Sequence, residues 1–336
     1  MKKTLMQLAQ EEEQNYSSPI VAAKINGEVR DIQSEYDHDD EISFIELNTS
    51  LGWRIYQRSI LFLFIVAVSN MNKEAEVVAK FTVNKGLYCE VKIPGKPINA
   101  HLIHDIEQEM REMIANNIPI VKHSIPRQEA IELFQAHGKR GKAALIASLP
   151  HSMISIYTCR NYPDYLYGAM LPETKLLGQF ALDVEQSGVL IRTPDEMTDG
   201  KIRTRVEQPK FGHILSEAKE WAKILECPYI SDLNQINTEH RMGELIRISE
   251  ALQEKRIAQI ADHIASHRNN IRLILIAGPS SSGKTSFAQR LQIQLRVNGL
   301  HPIMISLDDY FLNREDTPRN EKGQYDYESI DAIDTA

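Results

Sequence analysis

Residues 278–285, GPSSSGKT, carry the clearest chemical signature in this sequence. They match GxxxxGK[ST], a pattern in which backbone N–H groups of a glycine-rich loop and the N-terminus of the next helix surround a phosphate. The pattern predicts a site for ATP and Mg²⁺, with the Lys284 ammonium at the β- and γ-phosphates and the Thr285 hydroxyl on the metal. A glycine-rich turn that only starts a helix is the alternative. The residues expected to contact the nucleotide are Gly278, Pro279, Ser280, Ser281, Ser282, Gly283, Lys284, Thr285 and Ser286.

The elements around this loop are expected to place two carboxylates beside it. The apolar run RLILIAG enters the loop, an amphipathic pattern over residues 285–298 leaves it, and a second apolar run, PIMISL, follows at residues 302–307. This order is typical of the start of a parallel sheet, in which the carboxyl ends of neighbouring strands face one crevice. Asp308 and Asp309 follow the second run, so one is expected to take a proton and the other to support magnesium. A pair of aspartates that caps the next turn is the alternative.

The stretches IAGPSSSGKTSFAQRL, SLDDYF and REDTPRNEKGQYDYES resemble the uridine kinase branch of the P-loop kinases. The resemblance implies an enzyme that transfers the γ-phosphoryl group of ATP to the 5′-hydroxyl of uridine or cytidine, or to another small hydroxyl compound. It implies that Asp308 is the catalytic base and that Lys284 assists the transfer. Glu328 and Asp331 map onto substrate contacts, although both fit a solvated loop face equally well. The resemblance covers only the start of such a domain, so we expect an incomplete kinase domain that is inactive alone.

The front of the chain carries a second resemblance. Asn26-Gly27 separates two alternating apolar runs, which is a strong hairpin signal. Residues 1–47, with VAAKINGEVRDI and DDEISFIEL, resemble the TGS domain of threonyl-tRNA synthetases, a β-grasp fold. Residues 48–206 resemble the second additional domain of those synthetases, which houses editing, through KGLYCEV, DIEQEMREMIANNIPI, RQEAIELFQAHGK and YPDYLYGAMLPET. A helical linker is predicted over residues 207–269 and the kinase-like segment over 270–336. The whole domain order of this chain, synthetase-like in front and uridine-kinase-like at the back, resembles that of a bacterial group of uridine or nucleoside kinases.

The editing-like part lacks the residues that editing needs. The resemblance implies an HxxxH motif on the helix after the TGS-like unit and a CxxxH motif within YPDYLYGAMLPET. The first region reads RIYQRSILFLF, with Tyr56 and Ser59 but no histidine, and in the second Leu166 and Met170 replace the cysteine and the histidine. Leucine cannot bind a metal, and a lone thioether does not suit a hydrolytic zinc site. We therefore expect no zinc and no deacylase activity, and a role in binding or in arranging the kinase.

Two further groups of residues could carry chemistry, and each has a plain alternative. His101 and His104 are spaced so that two imidazoles could bind a metal from one helical face, or could simply lie at a solvated helix start. A set of basic residues could contact RNA phosphate, or could be solvated loop charge, which the acidic balance of the chain favours. Its members are Lys139, Arg140, Lys142, Lys201, Arg203 and Arg205.

The composition excludes several classes of protein. The chain has 336 residues, 42% of them hydrophobic, which is enough to build cores and argues against wholesale disorder. Its net charge of −8 argues against general coating of nucleic acid or anionic membrane. Three scattered cysteines argue against a disulfide framework and fit a reducing cytoplasm. The apolar run at residues 60–68 is far below the roughly 20 residues of a membrane span, and the start lacks the apolar core of an export signal. We expect a buried helix and a cytoplasmic location.

These observations predict an α+β front half, since no regular alternation of strands and helices is visible there, followed by the start of a P-loop α/β parallel-sheet domain. The leading functional prediction is an ATP- and Mg²⁺-dependent nucleoside kinase, with ATP and uridine or cytidine as its partners. The alternative is an RNA- or tRNA-binding module with an accessory nucleotide-binding P-loop. The sequence leaves the oligomeric state open.

Overall fold

The Asn26-Gly27 pair closes the first hairpin, as the sequence predicts. Both residues have positive φ, 51° and 84°, which is the backbone of a type I′ turn and matches the twist of antiparallel strands. The hairpin joins β1 (Ile20–Ile25) to β2 (Glu28–Asp31), and β3 (Ile42–Glu46) pairs with the other edge of β1. The helix α1 (Leu5–Glu12) packs on this antiparallel sheet through Leu5 and Ala9.

The structure is a computed structural model that describes residues 4–185, 188–198, 200–202, 204–279 and 281–335. The chain divides into two units, Met1–Gln235 and Ile236–Ala336. The finer boundaries predicted after residues 47, 206 and 269 stay predictions.

The helix α2 (Ser50–Met71) forms the centre of the first unit. Its N-terminus is capped by the Thr49 side chain, which accepts a hydrogen bond from the Gly52 backbone N–H. Only glycine fits at position 52, because a Cβ there would lie 2.1 Å from the Glu46 carbonyl oxygen at the end of β3. The helix is long and apolar enough to cross a membrane, but 67% of its most apolar window is buried inside the fold. That burial is typical of a core helix and confirms the helix predicted at residues 60–68.

Two antiparallel sheets complete the first unit. Their strands and the helices that pack on them are β4 (Glu76–Val83), β5 (Gly86–Lys92), α3 (Ala100–Ala115), β6 (Ile120–Pro126), α4 (Arg127–Ala136), α5 (Arg140–Ala147), β7 (Met153–Cys159), β8 (Tyr162–Asp164), β9 (Ala181–Glu185) and β10 (Gly188–Arg192). The larger sheet has the order β4-β5-β10-β9, and the smaller sheet the order β6-β7-β8. One face of the larger sheet packs on α2 and α3, since Cys89 and Val91 lie in the same core cluster as these helices. The helices α4 and α5 cover β7 in a separate cluster.

The linker predicted to be helical over residues 207–269 contains three helices, α6 (Pro209–Ile224), α7 (Ile230–Thr238) and α8 (Met242–Ser266). In the first unit, α6 lies on the outer face of the larger sheet, where Leu215 packs against Tyr88 and Leu190. The Lys219 ammonium also pairs with the Glu90 carboxylate of β5.

The second unit is built on α8 and α9 (Lys284–Val297). Its small core consists of Ile257, Ala261 and Ile264 from α8 together with Leu291 and Leu295 from α9. An ion pair of 2.8 Å between Arg290 Nε and Glu254 Oε2 lies beside this core. The predicted helix at residues 285–298 is therefore confirmed, and its apolar face is covered by α8.

The parallel sheet predicted around the P-loop does not form in the described residues. Neither 271–279 nor 301–306 has strand structure, and apolar side chains of both segments are exposed: Leu273 by 75%, Leu275 by 83% and Ile303 by 88%. A parallel strand needs hydrogen-bonded neighbours and a cover on both faces, and the one helix between these segments packs on α8 instead. The fold is thus a mixed α and β structure with small antiparallel sheets, in agreement with the α+β front half, and the described residues give no support to the parallel sheet of the predicted P-loop domain.

Candidate functional site

The GPSSSGKT segment forms an exposed turn that leads into α9. Gly283 has φ of +84° and directly precedes the helix, and Ser281 also has positive φ. A Cβ at Gly278 would lie 2.7 Å from Ser282 Oγ, so this hydroxyl would have to rotate away from it. The first N–H groups of α9 have no helical partner by geometry, so they are available to an anion. Thr285 and Ser286 are exposed on this first turn, and Ser280 lies outside the described residues.

The Lys284 side chain folds back onto this turn. Its ammonium donates to the carbonyl oxygens of Gly278 at 2.9 Å and Pro279 at 3.2 Å. The Ser282 N–H also donates to the Pro279 carbonyl, at 3.2 Å, which keeps the turn compact. A phosphate would therefore compete with two carbonyl oxygens for the lysine, and its charge would favour the exchange.

The acidic residues expected beside the loop lie in a separate exposed segment. Asp308 and Asp309 occupy a single 3₁₀ turn, Leu307–Tyr310. A bridge between Phe311 and Ile333 brings that segment beside the turn that holds Asp331. Glu328 is exposed a few residues earlier. Among the described residues no hydrogen bond links these acids to residues 278–286, because the two strands that would create a shared crevice are not formed.

The most highly organised polar centre of the first unit surrounds Asp31, which sequence reasoning missed. This residue ends β2 and is only 4% exposed. Its Oδ2 accepts from the Lys122 ammonium at 2.6 Å, and its Oδ1 accepts from the Tyr157 hydroxyl at 2.7 Å and from the Met170 backbone N–H at 3.0 Å. Burial and the neighbouring Asp31 charge raise the pKa of Tyr157, which keeps its hydroxyl protonated as a donor. The partners lie up to 139 positions away, so no local pattern marks them.

The segment 166–171 is fixed between Asp31 and α2. The Arg58 guanidinium donates to the Ala169 carbonyl at 2.6 Å, and the Ser59 hydroxyl accepts from the Leu171 N–H at 2.9 Å. Gly168 has φ of +93°, and a Cβ there would lie 2.9 Å from the Arg58 guanidinium carbon, so glycine is required. Every one of these contacts holds the backbone of the segment.

The positions that the synthetase resemblance assigns to editing are thus used for packing. Met170 is 1% exposed, and Leu166 packs against the same core cluster. The Tyr56 hydroxyl donates to the Gln179 carbonyl at 2.9 Å, and burial raises its pKa to about 12. Ser59, fully buried, donates to the Ile55 carbonyl. Within the described residues, no group of three or more His, Cys, Asp or Glu side chains is placed to hold a metal.

His101 lies at the exposed start of α3. Its Nδ1 lies 3.2 Å from Asp105 Oδ2, one helical turn further on, and its side chain is 83% exposed. The Asn99 side chain caps the same helix by accepting from the Leu102 N–H. His104 is exposed as well. This is the arrangement of a solvated helix start.

The basic residues considered for RNA contacts are largely engaged within the chain. The Lys139 ammonium lies 3.7 Å from the Tyr162 ring centroid, and burial lowers its pKa to about 8. Lys142 pairs with the buried Asp164, and Arg205 with Glu185 at 2.8 Å. The remaining described members, Arg140 and Lys201, are exposed, and Arg203 lies outside the described residues.

Comparison with known proteins shows that the chain is similar to synthetases. A threonine–tRNA ligase of Methylococcus capsulatus is 25% identical over 224 residues, which is 66% of this chain and 34% of the relative. That of Clostridioides difficile is 26% identical over 224 residues, 65% and 35% of the two chains. That of Francisella tularensis subsp. novicida is 29% identical over 162 residues, 48% and 25%. No family model matches the chain. The resemblance of the front part to synthetase domains is supported, and the chain spans about a third of the length of the first two relatives.

The nucleoside kinase prediction is wrong. The curated relatives are threonine–tRNA ligases and not kinases, and nothing in these comparisons supports a uridine kinase domain. Phosphoryl transfer to uridine, cytidine or another small hydroxyl compound is therefore contradicted, and the nucleoside substrate is not supported. The role of Asp308 stays a prediction. Two of the predictions, similarity to threonyl-tRNA synthetases and binding of ATP, are compatible with ligase relatives. The alternative of an RNA- or tRNA-binding module agrees with these relatives better than the kinase does.

Proposed function

We propose that this protein is an RNA-binding module, with tRNA as its RNA class, and that residues 278–286 are an accessory site for nucleotide phosphate. The observation that carries the proposal is the similarity to threonine–tRNA ligases over as many as 224 residues. The name of those relatives says that they act on threonine and tRNA. A chain that lacks the residues for editing can still bind tRNA.

The packing of the first unit supports binding over catalysis. In the segment that the resemblance assigns to editing, the Ala169 carbonyl accepts a hydrogen bond from Arg58, the Met170 N–H donates to Asp31, and the Ala169, Met170 and Leu171 side chains are buried. A segment whose backbone is held this rigidly loses little conformational entropy when the protein binds a partner. At the two positions assigned to editing ligands, the Leu166 and Met170 side chains supply neither a general base nor a hard metal ligand for hydrolysis of an ester bond.

The phosphate contacts of this module are expected at basic residues that need not break an ion pair or hydrogen bond within the described part of the chain. Arg140 and Lys201 are the exposed members of the basic set. The net charge of −8 means that such local cations must offset the repulsion of the whole chain. RNA affinity should therefore fall steeply with salt, as counterions are released on binding.

Binding of unfractionated tRNA, measured by filter retention from 50 to 200 mM salt, tests the proposal. We expect binding at the low end, with a salt slope reduced by about 1 in Arg140→Ser and in Lys201→Ser, since each variant removes one phosphate contact. Lys255→Gln, an exposed lysine on α8, is the matched control and should leave the slope unchanged. Failure of the wild-type protein to retain tRNA at 50 mM salt contradicts the proposal, and equal retention of duplex DNA shows that the binding is not specific for RNA.

A further inference from the structure

Two apolar segments of the second unit, residues 271–279 and 301–306, have open backbone groups. Both segments begin at the small core between α8 and α9, where Ile271 and Leu300 pack. Each then runs without a helix, a turn or a sharp bend. Among the described residues, no hydrogen bond uses the backbone of 272–277 or 303–305. Open backbone donors and acceptors along an apolar segment are a template for pairing with another strand.

The exposure of the side chains in both segments alternates with a period of two residues. The exposed fractions are Leu273 75%, Ile274 38%, Leu275 83%, Ile276 36%, Ile303 88%, Met304 47% and Ile305 67%. Successive side chains of a β-strand point to opposite faces. Each segment therefore has the side-chain pattern of a strand in which one face is partly covered and the other is open.

The open apolar surface has the size of one side of a protein interface. Together with Leu307, which is 62% exposed, these side chains amount to about five fully exposed ones. At on the order of 100 Å² of apolar surface for each, one chain exposes about 500 Å² and two chains about 1,000 Å². A standard interface buries about 1,600 Å² in total, of which roughly 57%, or about 900 Å², is apolar. A second copy of this chain thus supplies the apolar area that a stable dimer needs.

The distribution of charge favours a second copy in antiparallel orientation. Residues 273–279 and 302–307 carry no charged side chain, so the net charge of −8 lies outside the contact. His301 precedes the second segment, and Asp308 and Asp309 follow it. Antiparallel pairing of this segment with itself brings the histidine end of one copy to the aspartate end of the other. Parallel pairing would bring four aspartates together, which is unfavourable.

We propose that these two segments form the interface of a homodimer, in which residues 302–307 of two copies pair as antiparallel strands. The open side chains of both segments, from Leu273 to Leu307, are then buried against the second copy. A two-fold contact uses the same patch on both chains, so it closes at two chains and does not continue into a fibre. This inference concerns the second unit and does not rest on the RNA-binding module.

The oligomeric state of the wild-type chain is the first test. Sedimentation velocity from about 1 to 100 μM should show a change from one chain of 38.3 kDa to two chains as the concentration rises. A single chain at every concentration overturns the proposal, because the open surface is then stable in water. A series of ever larger species also overturns it, because a two-fold contact cannot produce them.

Two variants connect the dimer to the two segments. Leu275→Lys and Ile305→Lys should each raise the dissociation constant of the dimer at least tenfold, since a two-fold contact then loses two apolar side chains and gains two like charges. Lysine lowers the net negative charge of the chain, so general repulsion cannot explain a weaker dimer. The matched control is Val297→Lys, at a residue of α9 that is 76% exposed and outside both segments, and it should leave the constant unchanged. A dimer of wild-type strength in both segment variants overturns the proposal.

Amide hydrogen exchange of the wild-type protein tests the strand pairing itself. The backbone of 303–305 has no hydrogen bond within the described chain, so its amides should exchange quickly in the single chain. Peptides that cover residues 303–307 should exchange at least tenfold more slowly well above the dissociation constant than well below it. A dimer in which these peptides exchange at the same rate as in the single chain overturns the proposal. This comparison needs no variant, so it decides the question even if a lysine variant fails to fold.

Discussion

The Asp31 carboxylate and the Lys122 ammonium lie 2.6 Å apart although 91 positions separate them in the chain. This pair joins the last residue of β2 to β6, and Tyr157 and the backbone of Met170 complete the arrangement. It ties the TGS-like sheet to the editing-like part of the first unit. A carboxylate so deeply buried is tolerated only because three donors satisfy it.

Replacing Asp31 should therefore destabilise the first unit. We expect Asp31→Ala to lower the free energy of unfolding by about 2–4 kcal/mol, because three donors lose their acceptor and Lys122 loses its partner, while the part exposure of Lys122 limits the loss. Asp39→Ala, at a fully exposed carboxylate, is the control and should change stability by less than about 0.5 kcal/mol. Urea unfolding followed by circular dichroism measures both. A loss in Asp31→Ala no larger than that of the control would show that the network contributes nothing.

Lys139 should give the first unit a stability that depends on pH. Burial lowers the pKa of its ammonium to about 8, from 10.5 in an unfolded chain. Between pH 8 and pH 10.5 the unfolded chain binds the extra proton, so stability should rise with pH across this window and be constant below it. The gain is on the order of 3 kcal/mol at most.

Lys139→Met should remove this rise and make the protein more stable than wild type at pH 7. Denaturant unfolding of both proteins at pH 7, 8, 9 and 10 isolates the effect as a difference between them. Lys175→Met, at an exposed lysine, is the control. Parallel pH profiles for wild type and Lys139→Met would mean that the Lys139 ammonium is protonated throughout, held by the Tyr162 ring and Asp164.

The turn at residues 278–286 should bind nucleotide through Lys284. Lys284→Ala removes a charge-assisted contact to phosphate, so ATP–Mg²⁺ affinity should fall about ten- to a hundredfold. Isothermal titration calorimetry measures the change, with Lys322→Ala, an exposed lysine of the same unit, as the control. Equal ATP affinity in wild type and Lys284→Ala would contradict the accessory nucleotide site. The proposal of an RNA-binding module would not be affected.

The editing-like part should contain no zinc and hydrolyse no mischarged tRNA. Leu166 and Met170 offer no hard ligand, and the Tyr56 and Ser59 hydroxyls are committed to backbone groups. Elemental analysis of the purified protein should find less than one zinc per chain. Hydrolysis of seryl-tRNA at enzyme-like rates, or stoichiometric zinc, would contradict this assignment.

The sequence by itself determined the features that depend on neighbours in the chain. The Asn26-Gly27 turn follows from a local backbone preference. The core helix α2 and the helix α9 follow from apolar side chains repeated within a few residues. Each of these signals is complete within about twenty residues, so no distant contact is needed to read it.

Only the tertiary structure decided the features whose partners are distant. The strands β6 and β8 were missed because their stability comes from pairing with β7, and Asp31 was missed because its three donors lie between 91 and 139 positions away. The apolar runs on either side of the GPSSSGKT turn were predicted to be parallel strands and are not, since a strand exists only where neighbouring backbone completes its hydrogen bonds. The bulge in β4 likewise depends on pairing with β5, whose register shifts between Ala79 and Phe81 and so turns Phe81 to the face of the sheet opposite α2.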